Sequence, residues 1–184
     1  ACWDESRAMA TLRMLAAAEA RPEVVALERA ATEHRVALLI DDDAITLGEG
    51  EGAHSWPPDA LPEPDAIDWS ALHDIPVALV TGTNGKTTTV RLLAAMARAY
   101  GWRTGYSCTD GLFVDAAQGA SGDYSGPAGA RAVLRQPDVQ AAILETARGG
   151  LLRRGLAMQR AMAAVVTNLS ADHYGAYGVH DLDA

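Results

Sequence analysis

Lys86 is the single lysine of a 184-residue sequence in which every other positive side chain is an arginine. It sits in Val77-Ala-Leu-Val-Thr-Gly-Thr-Asn-Gly-Lys-Thr-Thr-Thr-Val90, an apolar run followed by two glycines, the lysine and three threonines. Gly82 and Gly85 allow a tight turn whose N–H groups point inward, a concave nest for phosphate oxygens. Lys86 would then reach the outer phosphates, and the Thr87 hydroxyl would be placed to hold Mg²⁺. The helix expected over Thr87–Tyr100 presents its positive end to the same anion. Thr83 and Asn84 alone separate the glycines, where the usual phosphate loop has four residues. The alternative is an ordinary strand–turn–helix with a surface lysine. A slim ammonium, kept where a planar guanidinium would fit poorly, favours the anion site.

Two further blocks carry polar groups at the ends of apolar runs. Glu145-Thr146 follows Val139–Leu144, and Thr167-Asn168 follows Met162–Val166, as Thr81 follows Val77–Val80. In an open α/β sheet, ligands gather beyond the carboxyl ends of the strands, so these three ends would converge. A carboxylate at Glu145 beside bound phosphates would ligate Mg²⁺ or orient the nucleophile. Arg148, with Gly149 and Gly150 beside it, could stabilise charge on a transferring phosphoryl group. Gly122–Pro127 reads as a loop on the substrate side, or else as a glycine-rich turn with a helix cap. His34, His54, His73 and His180 have no chemical context and are read as structural.

The elements that must position these groups begin at Ile75, where strands and helices alternate. Trp102–Ser107 and Gly111–Asp115 are candidate strands, the second one arm of a hairpin. Ser125 is a candidate N-cap for a helix running through Leu134. With the buried runs Val139–Leu144 and Met162–Thr167, this is the rhythm of an α/β fold, an open, doubly wound, mainly parallel sheet.

Residues 1–74 read differently. Met9, Leu12, Met14 and Leu15 recur at helical spacing in an alanine-rich stretch from Glu5 to Ala20, predicting an amphipathic helix. Pro22 opens a second helix to about Glu33, with Val24, Val25, Leu27 and Ala31 inward. Arg35–Ile40 and Ala44–Leu47 predict a hairpin whose turn, Asp41–Asp43, is a solvated acidic loop. Gly48–Ser70, rich in Gly, Pro and acid, predicts a surface linker pinned by Trp56 and Trp69. Two units are therefore expected, residues 1–74 and residues 75–184.

Charge follows the same division. Residues 1–74 carry 5 Arg against 16 Asp and Glu, and residues 75–184 carry 10 basic against 8 acidic side chains, within a net charge of −9. The acidic part argues against nucleic acid as a partner, and Arg131, Arg135, Arg148, Arg153, Arg154 and Arg160 suit phosphates and carboxylates. Arg135 and Arg160 are read as a solvated basic face. Hydrophobic content of 49% supports a core. No apolar run would span a bilayer, and the two cysteines, without metal-type spacing, suggest a reducing cytoplasm.

Thr81-Gly-Thr-Asn-Gly-Lys-Thr-Thr88, Leu144-Glu-Thr-Ala-Arg-Gly-Gly-Leu-Leu-Arg-Arg-Gly-Leu156 and Asn168-Leu-Ser-Ala-Asp-His173, in that order, resemble the central ATP-binding domain of the Mur ligase family. Within the family the likeness is greatest to the cyanophycin-synthetase type, and it covers about Ile75 to the end. The resemblance implies an ATP-dependent ligase joining a small-molecule or peptide carboxylate to an amino-acid amine through an acyl phosphate. It implies ATP contacts from Gly82, Thr83, Asn84, Gly85, Lys86, Thr87, Thr88 and Asn168, and a Mg²⁺ site built from Thr87, Glu145 and His173. Lys86, Glu145, Arg148 and His173 would carry catalysis. It further implies a C-terminal domain beyond residue 184, without which no ligation is expected. A non-catalytic nucleotide-binding module and a folate-type glutamate ligase are the rival readings.

Overall fold

The computed structural model describes residues 4–171 and Asp181. Helix α1 (Glu5–Glu19) is capped by Asp4, whose carboxylate accepts the Arg7 N–H at 3.0 Å. Met9, Leu12, Met14 and Leu15 all remain exposed, so the expected amphipathic packing is absent among the described residues. Alanine propensity and the cap are enough to favour this helix without a buried face. Helix α2 (Pro22–His34) does pack: Leu27 and Ala31 are buried, although Val25 is exposed.

Strands β1 (Leu38–Ile40), β2 (Ile45–Leu47) and β3 (His54–Trp56) form an antiparallel sheet in that order. The hairpin matches expectation. β3 comes from the stretch read as linker, where Trp56 pairs with Ile45 and His54 with Leu47. Trp56 and Trp69 both pack against the small core of Leu27, Ala31, Val36, Ile45 and Leu47. Trp69 also stacks on His34 at 4.3 Å and donates its indole N–H to the Pro64 carbonyl.

Asp42 and Asp43 are exposed as expected, but Asp41 and Arg135 are not solvated. The Asp41 Oδ2 accepts from Arg131 at 3.3 Å and from Arg135. Arg135 also donates to Thr46 Oγ1 and to the Ala44 carbonyl. Burial pushes the Asp41 carboxyl up, but Arg135 and the N–H groups of Ala44 and Asp43 outweigh it and hold the carboxyl below its usual value. The small sheet is thereby tied to a helix of the main domain.

That domain is the expected open sheet. It comprises β4 (Val77–Thr81), β5 (Thr104–Cys108), β6 (Gly111–Val114), β7 (Ala117–Ser121), β8 (Ala141–Glu145) and β9 (Ala163–Val166), in the order β7-β6-β5-β8-β4-β9. β5, β8, β4 and β9 run parallel, and β6 and β7 extend the sheet as antiparallel strands. Helices α3 (Lys86–Tyr100) and α4 (Pro127–Leu134) cover opposite faces, and the period-two alternation of the strands shows it. Val77, Ala142 and Leu144 pack with Ala130, Val133 and Leu134 of α4, whereas Val80 and Ile143 pack with Val90 and Ala94 of α3. Gly126, not Ser125, caps α4, because the Ser125 hydroxyl donates to Asp123 Oδ1 at 2.6 Å instead. A short helix, α5 (Arg148–Arg154), follows β8.

Candidate functional site at the carboxyl edge of the sheet

The carboxyl ends of β4, β5, β8 and β9 meet around the glycine loop. Gly82 and Gly85 adopt φ values of +133° and +82°, conformations that L side chains rarely take. A Cβ on Gly82 would lie 2.1 Å from Thr167 Oγ1, so the first glycine is also required by close approach to the end of β9. Gly85 is the N-cap of α3, and the N–H groups of the helix's first turn lack carbonyl partners within the helix.

Asn168 shapes the loop from the side. Its Oδ1 accepts the Asn84 N–H at 3.1 Å, its Nδ2 donates to the Asn84 carbonyl at 2.9 Å, and its own carbonyl accepts the Thr83 N–H. Thr167 Oγ1 makes a further bond of 2.6 Å to the Asn84 carbonyl. Lys86 bends back over the turn, its ammonium donating to the Gly82 and Thr83 carbonyls at 2.8 and 2.9 Å. A compact ammonium with three donors can do this on a loop so short.

Glu145 lies beneath. It is 1% exposed, and its Oε2 accepts from Thr87 Oγ1 at 2.8 Å and from the Thr109 N–H at 3.4 Å. Thr87 and Thr109 hydroxyls are 2.9 Å apart. Since the one proton of Thr87 goes to Glu145, Thr109 must be the donor to Thr87. The other carboxylate oxygen, Oε1, is buried with no hydrogen-bond partner among the described residues. A buried carboxylate oxygen left bare is costly, and a hard cation would satisfy it. Glu145 and Thr87 supply the oxygen donors that Mg²⁺ takes.

The structure thus brings together Gly82, Thr83, Asn84, Gly85, Lys86, Thr87, Glu145 and Asn168. Thr88 lies in the first turn of α3 with its side chain exposed, and Arg148 heads α5 three residues after Glu145. Gly150 lets α5 approach the start of α4, since its Cβ would meet the Gly126 Cα at 3.4 Å. The Gly122–Pro127 loop lies between the ends of β5 and β8: the Tyr124 N–H bonds to the Cys108 carbonyl and the Ala147 N–H to the Ser125 carbonyl. His173 lies outside the described residues. Among the described residues, no three His, Cys, Asp or Glu side chains cluster as a metal site. Thr109 is the site residue that sequence reasoning missed. Its signal is its place one residue past the end of β5, the fourth polar group at the same sheet edge.

An open, mainly parallel α/β domain with its polar side chains gathered at the carboxyl edge around a glycine loop is the class that this fold and site define. The chain belongs to the Mur ligase family, matching the Mur ligase middle domain over residues 80–181. It is 48% identical over 109 residues to cyanophycin synthetase of Trichormus variabilis, covering 59% of this chain and 12% of that protein. Identity to cyanophycin synthetase of Synechocystis sp. is 50% over 101 residues, 55% of this chain and 12% of the relative. The UDP-N-acetylmuramoyl-L-alanyl-D-glutamate–2,6-diaminopimelate ligase of Chlorobium phaeobacteroides is 39% identical over 108 residues, 56% of this chain and 20% of that ligase. The chain therefore spans only about an eighth to a fifth of the length of these relatives. No helix among the described residues is long and apolar enough to cross a membrane.

Proposed function

We propose that this chain is the nucleotide-binding part of an ATP-dependent carboxylate–amine ligase. The observation that carries the reading is the bare, buried Oε1 of Glu145, on a carboxylate already bonded to Thr87 at the head of α3. Support comes from family membership and from relatives that are themselves a synthetase and a ligase.

In this reading ATP is a substrate whose phosphates rest on the N–H groups at the start of α3 and on Lys86. The ammonium exchanges its two loop carbonyls for phosphate oxygens, a change from neutral to charged acceptors that strengthens each bond. Glu145, Thr87 and His173 would hold Mg²⁺, which when bound neutralises charge on the phosphates. Asn168, which shapes the loop, and the flanking Thr83, Asn84 and Thr88 would border the nucleotide, and Arg148 would face the transferring group. The γ-phosphoryl passes to the carboxylate of a small molecule or peptide, giving an acyl phosphate and ADP. An amino-acid amine then attacks the acyl carbon, phosphate leaves, and the amine proton goes to solvent. Cys108, free and buried, fits a reducing cytoplasm.

Calorimetry with ATP, with and without Mg²⁺, tests the nucleotide site. Lys86→Ala should weaken ATP about ten- to a hundredfold, the loss of one charge-assisted contact. Glu145→Gln should bind ATP as the parent does without Mg²⁺ yet lose the gain that Mg²⁺ brings. Parent-like behaviour of both variants would remove the nucleotide from this site.

A further inference from the structure

A second concavity shares no residue with the glycine-loop site. It encloses about 460 Å³, within the range of small-molecule sites. Its walls are α2 and β1 on one side, the segment before β9 on another, Glu49 from the connection between β2 and β3, and Asp74 from the stretch joining the small sheet to β4. Val36 and Met158 give it a buried apolar side.

Its charges do not balance. With Glu49 ionised, Glu28, Glu49 and Asp74 would face Arg35 and Arg160, an excess of one negative charge. Arg160 is a weak counterion: it is two-thirds exposed, donates to the Arg35 carbonyl at 3.1 Å, and reaches Asp74 only at 3.9 Å. Asp74 spends its other oxygen on the Ala37 N–H at 2.8 Å. Glu49 is 3% exposed and receives the Ile75 N–H, but among the described residues no cation lies at ion-pair distance. Burial, with the charge of Asp74 added, pushes its carboxyl up to about 8 despite Ile75 and Arg160. A buried acid held neutral beside a second acid is an electrostatic vacancy for one positive charge.

We infer that this cavity binds a small organic monocation, an ammonium or guanidinium head on a short apolar body. The head would take Glu49 and Asp74, and the body would lie against Val36 and Met158. A bare metal ion fits less well, because the apolar wall offers it no oxygen. An anion would lie against Asp74, and Glu49 would repel it as well once ionised. The cation would displace the Glu49 proton to solvent, so binding should tighten as pH rises to about 8, the value of the free site, and level off above it. The groups that face Glu49 in this balance are Asp74, Arg160, Glu28, Arg35 and the Ile75 N–H.

The test is a titration of the 184-residue chain with n-butylammonium, followed by calorimetry and by the Met158 methyl resonance, with n-butanol and butyrate as neutral and anionic controls. Saturable binding of butylammonium alone is expected. Glu49→Gln, a neutral isostere of the protonated acid, should weaken it about ten- to a hundredfold. Arg160→Gln, at an exposed position, should tighten binding severalfold by removing the competing cation. The inference is overturned if butanol binds as well as butylammonium, if nothing saturates, if Glu49→Gln equals the parent, or if Arg160→Gln weakens binding.

Discussion

Thr109 reaches the site twice, through its hydroxyl to Thr87 and through its backbone N–H to Glu145. The two contacts fix which way the Glu145 carboxylate turns, leaving Oε1 as the bare oxygen. Thr109→Val removes the hydroxyl while keeping shape and backbone. The change should cost about 1 kcal/mol of site organisation, a roughly fivefold weaker Mg²⁺ dependence of ATP binding, and Thr109→Ser should restore it. A Mg²⁺ titration of ATP affinity in the three proteins checks this, and equal midpoints would reduce Thr109 to a bystander. The residue escaped the sequence because β5 lacks the apolar run that marks β4 and β8. Thr104, Gly105 and Ser107 are small or polar yet wholly buried, so the apparent strand stopped one residue early and its polar end went unseen. Glu145 was legible because it directly follows the aliphatic run Ala141–Leu144, and Lys86 and Thr87 because they follow the glycine turn that closes the run Val77–Val80.

At the scale of elements, the glycine loop depends on how closely β9 lies against it. Gly82→Ala would place a methyl group 2.1 Å from Thr167 Oγ1 in a backbone conformation of φ +133°. Gly85 has φ +82° but meets no atom within 4 Å. Gly82→Ala should therefore lose about 2–3 kcal/mol of stability, clash and strain together, and Gly85→Ala only about 1 kcal/mol, strain alone. Urea unfolding of both variants measures the gap; comparable losses would mean that β9 yields easily. The elements that sequence did not reveal share one cause. β3 is three residues long with two of them exposed, and four of the five residues of β7 are exposed. Neither strand has a buried face to impose alternation, and each exists by pairing with a neighbour that does. α1 errs the other way: its helical spacing is real, but spacing cannot say whether a partner is present.

Across the whole molecule, the junction between the small sheet and the main domain is held by charges of opposite behaviour. Asp41 is a depressed carboxylate, stabilising above its unfolded value and losing that contribution as pH falls through its folded one. Glu49 has the contrary sign. Its carboxyl moves from an ordinary 4.5 up to about 8 on folding, so between those values the folded chain keeps a proton that the unfolded chain has shed. Its contribution to stability is full below 4.5 and is lost as pH rises through about 8, at a rate of up to about 1.4 kcal/mol per pH unit. Glu49→Gln should flatten the stability profile in that window and leave the mutant the more stable protein at its upper end. Thermal unfolding at a series of pH values decides it, and parallel profiles would show that Glu49 titrates alike in both states.

The grip of Asn168 on the peptide of Asn84 spans 84 positions of sequence. Such a contact closes a long chain segment and forms only after the intervening strands and helices have been placed. On a ribosome, Gly82, Gly85 and Lys86 would emerge well before the residue that gives their turn its shape. The loop is therefore expected to form late in folding, and under the nucleotide-binding reading proposed above a nascent chain would hold phosphate there only once β9 has docked.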